Sequence, residues 1–123
     1  HLGTPGDDVL VGTGADETFV GLGGNDRITG GGGNDTICAG PGKDTVRGNS
    51  GNDRLLGEGG RDTLKGGGGK DTVKGGPGKD RLAGQGGNDN LRGQGGSDRL
   101  NGGPGIDRCA QGAGKGPEIS CER

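Results

Sequence analysis

One apolar side chain recurs every nine residues along nearly the whole chain: Leu10, Phe19, Ile28, Ile37, Val46, Leu55, Leu64, Val73, Leu82, Leu91, Leu100 and Cys109. An amphipathic helix would place apolar residues three or four apart, so this spacing speaks against helices. The immediate flanks, as in Thr45-Val46-Arg47 and Thr72-Val73-Lys74, alternate polar, apolar, polar and favour β-branched residues. That pattern predicts short strands with one buried face. The other six residues of each unit read as turn. Gly30-Gly31-Gly32-Gly33-Asn34-Asp35 leads into Thr36-Ile37-Cys38, and Gly75-Gly76-Pro77-Gly78-Lys79-Asp80 into Arg81-Leu82-Ala83. A three-residue strand cannot stand alone, so successive copies must stack. Two units make an 18-residue coil with a strand on each side and a turn at each end. Six coils at the ~4.8 Å strand spacing give a flattened solenoid roughly 29 Å long. The predicted fold is all-β, with the apolar residues of two sheets meeting in a core one side chain thick per strand.

Composition makes such a core inadequate by itself. Of 123 residues, 37 are glycine, 22% are hydrophobic and Phe19 is the one aromatic. Chains this polar normally stay disordered, because the apolar surface they can bury does not offset the entropy of ordering the backbone. The predicted solenoid therefore needs help from something other than protein. No stretch reaches the 18 or so apolar residues of a membrane-spanning helix. A formal charge of −2 hides 17 acids and 15 bases, and the arrangement of these charges matters more than their sum.

The carboxylates follow the same nine-residue period. Asp8, Asp26, Asp44, Asp62, Asp80 and Asp98 fall on one edge of the coils, and Glu17, Asp35, Asp53, Asp71, Asp89 and Asp107 on the other. Stacked one coil apart, these groups repel one another, and a divalent cation between neighbours reverses the sign of the interaction. Glycine-rich turns leave main-chain carbonyls free to complete an all-oxygen shell. A flexible oxygen cage suits Ca²⁺ better than Mg²⁺, which demands tight octahedral geometry.

With its G-G-x-G-x-D-x-U-x unit, the chain resembles the RTX, or hemolysin-type, calcium-binding nonapeptide family over residues 3–110. The resemblance implies a parallel β-roll, a right-handed two-sheet β-solenoid of about six coils with 18 residues in each. It also implies that each ion is held by the motif carboxylates of two adjacent turns together with turn carbonyls. Six carboxylates bound five gaps on each edge, or about ten Ca²⁺ ions in all. The expected ligands are Asp8, Asp26, Asp35, Asp44, Asp53, Asp62, Asp71, Asp80, Asp89, Asp98 and Asp107. Glu17 is expected to be a weaker ligand, because unit two carries Ala15 at the fourth position and the longer acid at the sixth. Asn49, Glu58, Gln85 and Gln94 replace the second glycine but still offer a carbonyl, whereas Lys43, Arg61, Lys70 and Lys79 at the fifth position should lower ion affinity.

Residues 1–110 are expected to form the roll and residues 111–123, which lose the repeat, a C-terminal cap in which Ile119 covers the last core layer. A disulfide between Cys109 and Cys121 would pin that cap and imply an oxidising compartment. Cys38, four coils from Cys109, lies out of bridging range and reads as a free thiol or the partner of a cysteine on another chain. Weak calcium binding of the extracellular kind would keep the chain unfolded in the cytosol and fold it on export, so the expected setting is outside a bacterial cell.

Enzyme motifs fail on inspection. Gly66-Gly67-Gly68-Gly69-Lys70 lacks the Ser or Thr of a phosphate loop, and His1 is the single histidine. Basic residues cluster along one edge (Lys43, Arg61, Lys79) and on both sheets, so anionic surface polymers are candidate partners. The lack of stacking aromatics argues against specific nucleic-acid recognition. Two roles stay open: a calcium-triggered binding or export module, and an extracellular scaffold whose coils stack end to end with other copies of the chain.

Overall fold

The computed structural model describes residues 1–112 and the backbone of Glu118–Cys121. Thirteen strands build two parallel sheets. The first contains β1 (Val9–Val11), β3 (Arg27–Gly31), β5 (Thr45–Ser50), β7 (Thr63–Gly68), β9 (Arg81–Ala83), β11 (Arg99–Gly103) and β13 (Glu118–Cys121), adjacent in that order. The second contains β2 (Thr18–Val20), β4 (Thr36–Cys38), β6 (Arg54–Leu56), β8 (Thr72–Lys74), β10 (Asn90–Arg92) and β12 (Arg108–Ala110), likewise stacked in sequence order. Consecutive strands of the chain therefore alternate between sheets. Each strand from β1 to β12 pairs with the one 18 residues away, and the polypeptide winds through about six coils as a parallel β-solenoid, as the period predicts.

Register follows the repeat unit by unit. Ile28 pairs with Val46 and Val46 with Leu64 in one sheet, and Phe19 with Ile37 and Ile37 with Leu55 in the other. The ten side chains from Phe19 to Leu100 in the apolar series are buried, with Leu10 and Cys109 partly covered at the two ends. Ala39 joins them in the core.

Two details depart from the simple six-plus-three unit. Strands β3, β5, β7 and β11 run five or six residues, past the apolar position and into the turn. There Gly31 stays in register with Asn49, and Asn49 with Gly67, because backbones with little or no side chain between them keep close enough to pair. The non-repetitive tail also supplies a strand. Backbone pairing of β13 on β11 sets Ile119 beside Leu100, with an irregularity before Gly103 and Cys121 pair. The expected packing of the Ile119 side chain over the core, and the side chain of Cys121, lie outside the described residues.

The turns explain why glycine dominates. The fourth position of the unit is left-handed from Gly24 onward, as at Gly60 (φ 117°) and Gly78 (φ 130°). A Cβ on Gly60 would run into the carbonyl oxygen of Gly42, one coil below. From the third unit on the second position is left-handed too, and there Leu22, Asn49, Glu58, Gln85 and Gln94 accept φ of 70–78° without being glycine.

Candidate metal centres

Along each edge the motif aspartates are tied together by one repeated hydrogen bond. The backbone N–H of Asp26 donates to Oδ1 of Asp44 at 2.7 Å, that of Asp44 to Asp62 at 2.9 Å, and that of Asp62 to Asp80 at 2.9 Å. The opposite edge repeats this from Asp35 through Asp53 and Asp71 to Asp89 and Asp107. The carbonyls of the aspartates up to Asp89 are also used, as where Asp44 O accepts from Thr63 N and Asp62 O from Arg81 N, each at 2.8 Å. From Asp26 to Asp89 the main chain of each aspartate and one of its carboxylate oxygens are therefore engaged with neighbouring coils.

The second oxygen is not. Oδ2 of Asp26, Asp35, Asp44, Asp53, Asp62, Asp71, Asp80, Asp89, Asp98 and Asp107 is buried and accepts no hydrogen bond. Burying one carboxylate oxygen without a partner is costly, and native structures avoid it unless an ion or water satisfies it. Ten of them in two columns are a property of the architecture. Nine of the ten orphan oxygens crowd the α-carbon of the glycine that opens their own unit, and the tenth, on Asp44, belongs to the unit that Ala39 opens. A Cβ on Gly57 would stand 2.5 Å from Asp62 Oδ2 and 2.7 Å from the carbonyl oxygen of Gly75, and one on Gly75 would stand 2.5 Å from Asp80 Oδ2 and 2.9 Å from Gly93 O. The absence of a side chain here lets a carboxylate oxygen and a main-chain carbonyl oxygen of the next coil approach the backbone closely. No group of three or more His, Cys, Asp and Glu side chains clusters among the described residues, so a cation here would draw on carboxylates and main-chain carbonyls together. That donor set is the one hard cations of flexible coordination prefer.

Electrostatics point the same way. Burial pushes the carboxyl groups of Asp62 and Asp71 up to about 7, and those of Asp44, Asp80 and Asp89 up to about 6. The backbone hydrogen bond at Oδ1 opposes the shift, and negative charges in adjacent coils add to it. Asp26, Asp35, Asp53 and Asp98 are raised from the same dominant cause. Protein groups alone thus leave these columns short of positive charge.

The family described as RTX calcium-binding nonapeptide repeat matches residues 2–37, 11–46, 39–73, 47–82 and 74–109. The chain belongs to this family. No curated protein matches it across the sequence. The RTX repeat is a structural, calcium-binding unit, and the rows of buried aspartates fit that role.

Within the RTX pattern, the first unit on each edge differs from the rest. Asp8 accepts from the backbone N–H of Thr4 at 2.6 Å and from its hydroxyl, and Glu17 accepts from Thr13 N at 2.5 Å and from its hydroxyl. Glu17 also meets His1 Nε2 at 2.8 Å, while the His1 ring stacks on Phe19. The threonines at the second position thus satisfy carboxylate oxygens that later units leave bare. Ala39 is a second departure. It stands where glycine opens the other units, and its side chain is buried in the core.

The fifth position carries an interaction that its description as variable conceals. Asp7 Oδ1 accepts from Asn25 N and Asn25 Oδ1 from Lys43 N, while on the other edge Asp16 serves Asn34, Asn34 serves Asn52 and Asn52 serves Lys70. The Asn and Asp residues at 18-residue spacing were the available signal in the sequence. Lysine and arginine cannot accept a hydrogen bond, so the row stops at Lys43 and at Lys70, resuming once from Asn88 to Ile106 at 2.9 Å. Cys38 is a free, half-buried thiol whose ionisation is pushed up by burial. The expected Cys109–Cys121 bridge ends on a side chain outside the described residues.

Proposed function

We propose that this chain is a secreted, non-catalytic calcium-binding β-roll that folds when its turns take up calcium, serving as a binding or export module. The observation that carries this reading is the set of ten buried Oδ2 atoms without hydrogen-bond partners. Asp26, Asp35, Asp44, Asp53, Asp62, Asp71, Asp80, Asp89, Asp98 and Asp107 are the principal ligands in this reading, with Asp8 and Glu17 at the ends of the two columns. Bound calcium supplies divalent positive charge that the orphan oxygens otherwise lack. Because ligation is available to the coiled state and not to the open chain, ligand binding contributes directly to folding. Circular dichroism in a chelator, then on adding calcium, tests the idea: a coil spectrum should become a β spectrum, and native mass spectrometry should count about ten ions. A β spectrum indifferent to chelator would overturn it.

The tail, residues 111–123, completes the module as a cap in this proposal, supported by the pairing of β13 with β11. A Cys109–Cys121 disulfide would fasten it, and peptide mapping without reductant should recover those two cysteines linked and Cys38 free. A second reading, an end-to-end scaffold, draws on the exposed Leu2, Val9 and Val11 of the first coil. Light scattering with and without calcium separates monomers from growing assemblies.

A further inference from the structure

We infer that one edge of the solenoid, marked by Lys43, Arg61 and Lys79, is a docking groove for a linear acidic polysaccharide. These three cations and Arg81 and Arg99 line a groove of about 550 Å³ with Asp62 and Asp80 in its wall. All five basic side chains are exposed. None has a carboxylate partner: the one ion pair among the described residues joins His1 to Glu17. Lys43, Arg61 and Lys79 succeed one another at one-coil intervals, and Arg81 and Arg99 face each other across β9 and β11. Like charges placed side by side on a sheet repel, so this arrangement does nothing for the stability of the chain itself.

Fifth-position cations are concentrated on this edge, which has three of them in succession. On the opposite edge the corresponding fifth positions are Asp16, Asn34, Asn52, Lys70, Asn88 and Ile106, with a single base among them. On the groove edge the amide row through Asp7 and Asn25 ends at Lys43, and the cations Lys43, Arg61 and Lys79 follow, with Ser97 last. Internal hydrogen bonding has been exchanged for a row of positive charge.

Shape and chemistry select the occupant. From Lys43 to Ser97 the groove spans three coil steps, about 14 Å at the strand spacing. A straight row of charges at that repeat suits an extended polymer with one anionic group per unit better than a compact anion. Phe19, the one aromatic, is buried, so there is no platform on which nucleic-acid bases could stack. None of the exposed large apolar residues, Leu2, Val9, Val11, Leu22 and Ile106, lines the groove, so nothing there would insert into a membrane. Carboxylated or sulfated glycan chains need neither. The inference rests on the calcium reading above, because the Asp62 and Asp80 carboxylates in the wall repel a polyanion until their charge is offset.

Dextran sulfate, which carries charge without gelling with calcium, is the probe. In calcium it should bind with an affinity that falls as salt rises, and uncharged dextran should not bind. The triple variant Lys43→Gln/Arg61→Gln/Lys79→Gln should lose about tenfold in affinity, and Arg54→Gln/Lys74→Gln/Arg92→Gln, which removes equal charge from the other sheet, less than about twofold. In the wild-type protein, bound dextran sulfate should shield Arg61, Arg81 and Arg99 from an arginine-modifying reagent and leave Arg54 and Arg92 reactive. Equal losses in the two variants, absence of shielding, or tighter binding of single-stranded DNA or anionic phospholipid vesicles at matched charge would overturn the groove. Circular dichroism of the same samples keeps the two readings apart. A calcium-induced β spectrum without dextran sulfate binding removes the groove alone. A β spectrum indifferent to calcium, with binding still lost in the groove variant, removes the calcium reading and leaves the groove standing.

Discussion

The backbone N–H of Asp62 donates to Oδ1 of Asp80, one coil along, at 2.9 Å, and Oδ2 of Asp80 is buried with no partner. One carboxylate thus does two separate things. Its first oxygen helps set the distance between coils, and its second is left for a cation. A column of such residues couples the stacking of the solenoid to the neutralisation of its charge.

That division predicts the behaviour of Asp80→Asn. The amide keeps an acceptor for Asp62 N–H but loses the charge, so the coil spacing should hold while calcium binding suffers. The calcium midpoint followed by circular dichroism should rise, with the sites bordering residue 80 weakened on the order of tenfold. Asp16→Asn, at an exposed position whose Oδ1 accepts from Asn34 N, should leave the midpoint nearly unchanged.

Acidity should act in opposite directions with and without calcium. In the folded, calcium-free chain, burial raises Asp62 and Asp71 to about 7 and Asp44, Asp80 and Asp89 to about 6 from an ordinary 3.8. Between those limits the folded state holds more protons than the unfolded one, so stability falls as pH rises. The penalty is absent below the ordinary carboxylate value and complete above about 7. Calcium-free protein should therefore be more ordered near pH 4 than near pH 8. Protons and calcium compete for the same oxygens, so the calcium midpoint should drop as pH rises through 6 to 7, with proton release measurable in weakly buffered solution.

Gly75→Ala probes the close packing of oxygens over the first glycine of a unit. The new Cβ would lie 2.5 Å from Asp80 Oδ2 and 2.9 Å from Gly93 O, closer than real contacts allow, so the carboxylate or the coil must shift. A loss of about 1–3 kcal/mol in calcium-saturated stability is expected, read from thermal or denaturant unfolding. Ala39, which holds the equivalent place before Asp44, gives the reverse experiment: Ala39→Gly should lower the calcium midpoint.

The interrupted amide row invites repair. Asn52 Oδ1 accepts from Lys70 N at 2.8 Å, but Lys70 offers no acceptor to Asn88, and the row resumes only from Asn88 to Ile106. Lys70→Asn restores the missing link and should stabilise the folded protein by about 1 kcal/mol. Lys70→Gln, with a longer reach, should do less. Both are read from the denaturant midpoint in saturating calcium.

The nine-residue recurrence of apolar and acidic residues alone determined the strands, their pairing partners, the single-file core from Leu10 to Cys109 and the two columns of carboxylates. A strict repeat can stack only by translating itself 18 residues at a time, so residue identity along the chain is enough. Which carboxylate oxygen is spare, why Leu22 and Glu58 sit left-handed, that Ala39 joins the core, and how Asn25 reaches Lys43 were decided by the stacked structure. So was the extra strand β13, which lies outside the repeat and has no period to announce it. Each of these depends on distances between atoms in adjoining coils, and the linear order of residues specifies which groups become neighbours without specifying how closely they approach or which of their atoms is left over.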